Sequence, residues 1–407
     1  MAELPRVLVV HSRYRSSVPS GENEVVDDEL RLLAEHGCEV SSCELQSDEI
    51  ASWPARRKAL LPARVVWGRV GPRVLQHAIE RFRPDVVHVH NTFPLFSPVA
   101  FRTARASGAG VVHTLHNFRP LCPAATFLRD GAPCELCLGT TQLHAIKHAC
   151  YRDSRLATAP VAVMGSLHGA LGTWQRSIDR FILLCEYERQ KYVQAGWPAE
   201  RMRIKFNTVY EGDLPPRRFG GAFLCMSRIV PEKGVDVLLE GYRRAFGDGG
   251  GPELRLTASG DMLEQLRAEY GGVPGITFLG HVSREQLYRE LSAARAVVVP
   301  SRCYEGFPRV VVEAYAAGVP VIASNSGSLA ELVEDGQTGL LVTMGDADAM
   351  AGALLRLAGS DGLAEQLGLN SRRVFEQRYS PGVTTRELVR IYGEARNEAL
   401  IRQGARR

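Results

Sequence analysis

The sequence predicts an α/β protein built of two Rossmann-like domains facing a central cleft. Short β-branched runs alternate with segments of helical period, the signature of parallel sheets covered by helices. The alternation starts again after a turn-rich stretch at 211–221 holding Pro215, Pro216 and three glycines. The chain of 407 residues also exceeds one compact core, since a domain averages about 150 residues.

In the first half, residues 6–11 read as a buried strand. A Ser/Gly loop follows, then helical period over 22–35, with Gly37 as the stop and a second strand at 39–45. Residues 86–90 and 111–115 are further strands with a helix around 98–107 between them, and 181–185 is another. Residues 202–207 run towards the hinge. Beyond it come a strand at 222–227, a helix at 235–246, strands at 253–259 and 275–279, a helix at 284–294, a strand at 296–300, a helix at 308–317 and a strand at 321–324. The final helical segment, about 381–402, has no strand partner and is expected to pack back on the first domain. The expected division is 1–213 with a Cys-rich insertion at about 118–175, then 214–380, then a crossover helix at 381–407.

Composition narrows the class. A hydrophobic fraction of 45% with 23% charged residues is that of a folded globular protein. The 49 basic residues nearly balance 45 acidic ones, leaving +4, too little for a protein that coats nucleic acid. Residues 1–11 hold no signal-peptide core, and nine cysteines are too sparse for a disulfide scaffold, so a reduced, cytoplasmic setting is expected. Residues 156–175 carry no charged side chain, yet Pro160, His168 and three glycines make membrane insertion weak. A buried or interfacial helix is expected there.

Two segments carry the chemistry. After the strand ending at Pro300, a loop presents Glu305, and Pro308 suits the start of a new helix. Glu305 and the backbone amides of Gly306 and Phe307 thereby reach a helix N-terminus, which accepts phosphate and hydroxyl oxygens. Glu313, about two turns on, can face the same side. The second segment runs from Ser227 through Arg228 and Lys233 to Gly234, in a strand-to-helix loop where two cations can clamp a diphosphate. Isolated pairs of this kind are often solvated surface charges. Their common position at strand ends favours a site.

Together these segments resemble the retaining glycosyltransferases of the family-4 type (glycosyl transferases group 1), which have the GT-B fold. Glu305 to Glu313 matches that family's pair of glutamates eight apart, and Ser227 to Gly234 matches its Arg and Lys-Gly element. The run from Glu313 through Gly318 and Pro320 to Ser324 is similar as well. The resemblance implies transfer of a hexose from a nucleotide diphosphate sugar to a hydroxyl acceptor. Arg228 and Lys233 would grip the diphosphate, Glu305 with the amides of Gly306 and Phe307 the hexose, and Glu313 the ribose. Gly280, His281 and Val282 would set backbone against the base. His116, after the strand at 111–115, corresponds to the family histidine that faces the donor sugar, and Gly21 to its glycine loop. His88, His90 and Asn91 sit at another strand end and could line the acceptor side or stabilise a loop. The family implies front-face attack, with the leaving phosphate taking the acceptor's proton and no metal in the chemistry. Asp346 and Asp348 imitate a metal-binding Asp-x-Asp, but their place before a helix reads as a cap.

Cys122, Cys134, Cys137 and Cys150 fall within 29 residues with a ligand-type knuckle. They could close a structural zinc site, with His144 or His148 as substitutes, or be reduced thiols or a disulfide pair. Between residues 51 and 84, eight Arg/Lys against one acid interleave with Trp53, Leu60, Leu61 and Trp67. That pattern fits a face on anionic lipid at the inner side of a membrane, or an ordinary solvated basic face. The alternatives are a non-catalytic sugar-nucleotide-binding relative and a nicotinamide-dependent oxidoreductase. The latter lacks G-x-G-x-x-G in both first strand-to-helix loops.

Overall fold

Valine-rich runs become central strands because parallel sheets are covered by helices on both faces. In the computed structural model, which describes residues 4–16, 20–257 and 259–405, such strands build two separate sheets. The chain divides into two units: residues up to 127 with 135–208 and 382 onward, and residues 128–134 with 209–381.

The first unit contains β1 (Val7–Arg13), β2 (Val40–Gln46), β3 (Val86–Asn91) and β4 (Gly110–Thr114). A short antiparallel hairpin, β5 (Leu128–Arg129) and β6 (Ala132–Pro133), belongs to the residues grouped with the second unit. β7 (Arg180–Leu183) and β8 (Met202–Ile204) return to the first sheet, whose order is β2-β1-β3-β4-β7-β8, all parallel. The order reverses between β1 and β3, and ligand crevices of open α/β sheets form at such a point, beyond the carboxyl ends of the strands.

The last helix, Pro381–Gly404, packs on this sheet through Leu388, Ile391, Tyr392, Ala395 and Ala399. It lies so close to β4 that a Cβ on Gly110 would sit 2.7 Å from the Ala395 backbone. Ion pairs fix its register: Glu394 with Arg180 at 2.7 Å and Arg203 at 2.9 Å, and Arg402 with Asp179 at 2.5 Å. Residues 1–3, 17–19 and 406–407 lie outside the described residues, and part of the expected Ser/Gly loop falls among them.

The second unit carries β9 (Ala222–Cys225), β10 (Leu254–Leu256), β11 (Ile276–Phe278), β12 (Ala294–Val299), β13 (Val321–Ser324) and β14 (Gly339–Val342). Their parallel order, β11-β10-β9-β12-β13-β14, is that of a dinucleotide-binding sheet, with its switch between β9 and β12. Helix Val235–Phe246 and helix Ala347–Ala358 bury Leu238, Leu239, Tyr242, Met350, Leu354 and Leu357 in one core on this sheet.

One boundary and one strand differ from expectation. The first unit ends at 208 rather than 213: Lys205 still donates to Leu183 of β7, whereas Arg218 already bonds Ser292 of the second unit. β14 was not foreseen, because four apolar residues between turn residues are too short to show a period. Residues 155–170 form a helix, Arg155–Ala170, capped by Ser154 and buried through Val161, Met164, Gly165 and His168. Among the described residues no helix is long and apolar enough to cross a membrane.

Candidate active site

In the second unit the β9 and β12 loops meet at the switch point. After β9 the chain passes Ser227 and Arg228 and turns through Pro231–Lys233 to Gly234, which has φ 63°. A Cβ on Gly234 would come 2.1 Å from the Pro300 carbonyl, so only glycine lets this loop approach the end of β12. The Arg302 amide also donates to the Glu232 carbonyl at 2.9 Å. Across this contact Lys233 Nζ donates to Glu305 Oε1 at 2.6 Å, and Ser301 Oγ donates to the same oxygen at 2.5 Å. Ser328 Oγ donates to the Glu305 carbonyl at 2.8 Å, holding the loop from the far side.

The electrostatics follow. Burial alone would raise the Glu305 carboxyl, but the Lys233 ammonium and the two hydrogen bonds more than offset it and hold Glu305 below the usual range. Burial opposes the Lys233 charge in turn, and the Glu305 carboxylate overcomes it, raising the ammonium. Both groups are ionised at neutral pH. Arg228 is 46% exposed and lies 3.9 Å from Glu232.

Helix Arg309–Ala316 begins one residue after Pro308. Phe307 is buried and Gly306 half-buried just ahead of it. Glu313 is buried on this helix, with one oxygen accepting from Arg309 Nε at 2.9 Å. Gly280, His281 and Val282 follow β11, with His281 exposed and Ser283 capping the next helix. Asp346 caps helix Ala347–Ala358, accepting from the amides of Asp348 and Ala349, while Asp348 pairs with Arg244 at 2.6 Å.

In the first unit, histidines crowd the carboxyl ends of β1, β3 and β4. His88 Nδ1 lies 2.8 Å from Tyr392 Oη and its Nε2 2.7 Å from Thr114 Oγ1. His90 Nδ1 lies 2.9 Å from His116 Nε2. His11 Nε2 meets Asn23 Oδ1 at 2.8 Å, and His113 Nδ1 donates to the Val89 carbonyl at 2.8 Å. Burial pushes His88, His90 and His116 well below the ordinary histidine value and His113 down to about 4. These rings are therefore neutral at pH 7. His116 lines a small cavity of about 40 Å³ with His90, Asn91, Asn117, Arg119 and Trp174.

Gly21 opens helix Gly21–Glu35, where Ser20 Oγ accepts from the Asn23 amide. Beside it Glu22 accepts from Tyr14 Oη at 3.3 Å, and burial pushes its carboxyl up to about 8. Sequence reasoning missed Glu22, Glu29 and Lys205. No local motif marks them, since Glu29 and Lys205 are 176 residues apart and meet only through the sheet.

Cys122 is buried in a tight turn, its amide donating to the Phe118 carbonyl at 2.7 Å, while Cys134, Cys137 and Cys150 are half-buried. Among the described residues, the one group of three or more metal-binding side chains with ligand atoms within 4.8 Å is Glu29, His88 and His90.

The comparisons follow the two units. Residues 19–209 match the family described as Glycosyltransferase Family 4, and residues 220–360 match Glycosyl transferases group 1. The chain is similar to the phosphatidyl-myo-inositol mannosyltransferase of Mycobacterium leprae, 35% identical over 246 residues, which are 58% of this chain and 64% of that protein. It is also similar to a GDP-mannose-dependent alpha-(1-6)-phosphatidylinositol monomannoside mannosyltransferase of Mycobacterium tuberculosis, 31% identical over 50% of this chain and 62% of that protein. An exopolysaccharide phosphotransferase of Streptomyces coelicolor is 32% identical over 47% of this chain and 21% of its own length. The chain thus spans less than two thirds of the length of these curated relatives.

Among solved structures, the sucrose-phosphate synthase of Thermosynechococcus elongatus has a TM-score of 0.67 at 19% identity, covering 96% of this chain and 98% of that one. HepE of Anabaena, in complex with UDP and glucose, has a TM-score of 0.64 at 17% identity, covering 95% and 98%. With one family match on each unit and a shared fold across nearly the whole length, the chain belongs to the family-4, group 1 glycosyltransferases of GT-B fold.

Proposed function

We propose that the protein transfers a hexose from a nucleotide diphosphate sugar to a hydroxyl acceptor, with retention at the anomeric carbon. The observation that carries this reading is the Lys233–Glu305 pair at the switch point of the second sheet. A half-buried cation and carboxylate held side by side suit a donor with an anionic diphosphate and a hydroxyl-bearing ring.

Lys233, with Arg228, binds the diphosphate and neutralises its charge as it departs. Glu305 and the backbone at Gly306 and Phe307 hold the hexose. The carboxylate of Glu313, oriented by Arg309, accepts from the ribose, and the segment 280–282 lies along the base. His116 contacts the sugar, and Gly21 leaves room for the acceptor. The C1–phosphate bond breaks as the acceptor oxygen bonds to C1 from the same face, and the acceptor's proton passes to the departing phosphate oxygen. Catalysis is then positioning and charge stabilisation. Arg228 and Lys233 supply the cations, while Asp346 and Asp348 are engaged elsewhere, which favours a chemistry without metal.

The acceptor is proposed to sit at an anionic membrane surface. Leu60, Trp67, Val70 and Val74 are exposed beside Arg56, Arg57 and Lys58, and Leu156, Val163 and Leu167 are exposed on the helix that shares the core of Val65, Val161 and Met164. Two relatives act, by name, on phosphatidylinositol-based acceptors.

A screen of UDP- and GDP-sugars, reading nucleotide release and then product mass, tests the reading. Release from one donor, nearly abolished in Glu305→Ala, is expected. Thermal stabilisation by NAD and by no nucleotide sugar would contradict it.

A further inference from the structure

Beneath His116 the first unit holds a buried polar chain that the proposed chemistry leaves unused. Glu29, on helix Gly21–Glu35, is buried with Lys205, whose ammonium contacts Glu29 Oε1. The other carboxylate oxygen, Oε2, lies 3.4 Å from His90 Nε2, and among the described residues neither atom makes a hydrogen bond. On its far side, His90 Nδ1 meets His116 Nε2 at 2.9 Å. His88, the remaining ring near Glu29, has both nitrogens engaged by Tyr392 and Thr114.

We infer that Glu29, acting through His90, fixes His116 as the Nε2–H tautomer and leaves its Nδ1 as a hydrogen-bond acceptor. A carboxylate only accepts, and a ring lone pair 3.4 Å from its oxygen would be repelled, which puts the His90 proton on Nε2, on the side of Glu29. The His90 Nδ1 then holds a lone pair, and His116 must donate to it from Nε2. An imidazolium at His90 would satisfy Glu29 too, but burial and the nearby charge of Lys205 keep the ring neutral. A metal ion at Glu29, His88 and His90 would need the space and charge that Lys205 already supplies. Glu29 and His90 are thus positioning residues, and their bearing on transfer rests on the proposed contact between His116 and the donor sugar. An acceptor nitrogen there selects for a sugar hydroxyl that donates.

Glu29→Gln gives a sharp test because Lys205 only donates. The amide must turn its oxygen to Lys205 and its NH2 to His90 Nε2, which then accepts. The His90 proton moves to Nδ1, and His116 must accept at Nε2 and carry its own proton on Nδ1. NMR of the full chain labelled with 15N-histidine reads this directly, since protonated and unprotonated ring nitrogens have well-separated shifts, with His116→Gln as the assignment control. The wild type is expected to show His116 protonated at Nε2, and Glu29→Gln to show it protonated at Nδ1. A wild-type Nδ1–H tautomer, or no change in Glu29→Gln, would overturn the inference. Should Glu29→Gln not fold, His90→Phe serves: two His116 tautomers in exchange support the inference, and a single unchanged one overturns it. With a donor in hand, kcat in Glu29→Gln should fall about tenfold with little change in KM, the loss of one oriented hydrogen bond. A flipped tautomer with unchanged turnover would keep this inference and count against His116 as the sugar contact.

Discussion

Replacing Lys233 with methionine keeps the bulk of the side chain and removes the charge that Glu305 depends on. Breaking a fully buried ion pair from one side costs about 3–5 kcal/mol, because the other charge is left uncompensated. Here the side chains are 20% and 13% exposed, and Ser301 still donates to the stranded carboxylate. Those two factors reduce the expected loss to roughly 1–3 kcal/mol. In a unit of this size 1 kcal/mol moves the melting temperature by about 2–4 °C, so Lys233→Met should melt roughly 2–12 °C lower.

The double variant Lys233→Met/Glu305→Gln leaves no buried charge and should recover at least about half of that. Acidity adds a second signature. The Glu305 carboxyl is lowered in the folded state, so its contribution is present above its unfolded value of about 4.3 and is lost as pH falls through the lower folded value. Lys233 is raised, so its contribution is present below about 10.4 and is lost as pH rises through the folded value. Thermal and urea unfolding of wild type, both single variants and the double, from acid to alkaline pH, measure all of this. A Lys233→Met melting point within about 1 °C of wild type, or a cycle with no coupling, would refute the reasoning.

Other consequences are more local. Gly234→Ala puts a Cβ 2.1 Å from the Pro300 carbonyl at φ 63°, so it should cost about 2 kcal/mol or more and reduce turnover by parting Lys233 from Glu305. Urea unfolding and a turnover assay check it. Asp346→Ala removes a helix cap and should cost about 1 kcal/mol while leaving turnover unchanged, whatever divalent ion is added. Reversing Arg56, Arg57 and Lys58 to glutamate should weaken binding to phosphatidylserine vesicles by about 100-fold or more, at about 1 kcal/mol per basic residue. Sedimentation with vesicles reads this, and unchanged binding would remove the membrane face from the account.

Strand and helix order was readable because buried parallel strands are apolar runs and their covering helices keep a 3.6-residue period. Arg228, Lys233 and Glu305 were readable for a related reason: each follows a strand closely in a short loop, so sequence position nearly fixes spatial position. What sequence could not show depends on tertiary approach. That the backbone Gly234 lets approach is the Pro300 carbonyl depends on where β12 ends in space. Glu313 looked cleft-facing and is also tied to Arg309 on its own helix. Glu29, His90 and Lys205 come from three distant segments, and only the β1–β3–β4 end brings them to His116.

The central claim is that Lys233 and Glu305 form the donor subsite, and a crystal structure with the screened nucleotide sugar bound tests it most directly. The account predicts diphosphate oxygens within hydrogen-bond distance of Lys233 and Arg228, with sugar hydroxyls on Glu305. A fully occupied donor that touches neither Lys233 nor Glu305 would contradict it.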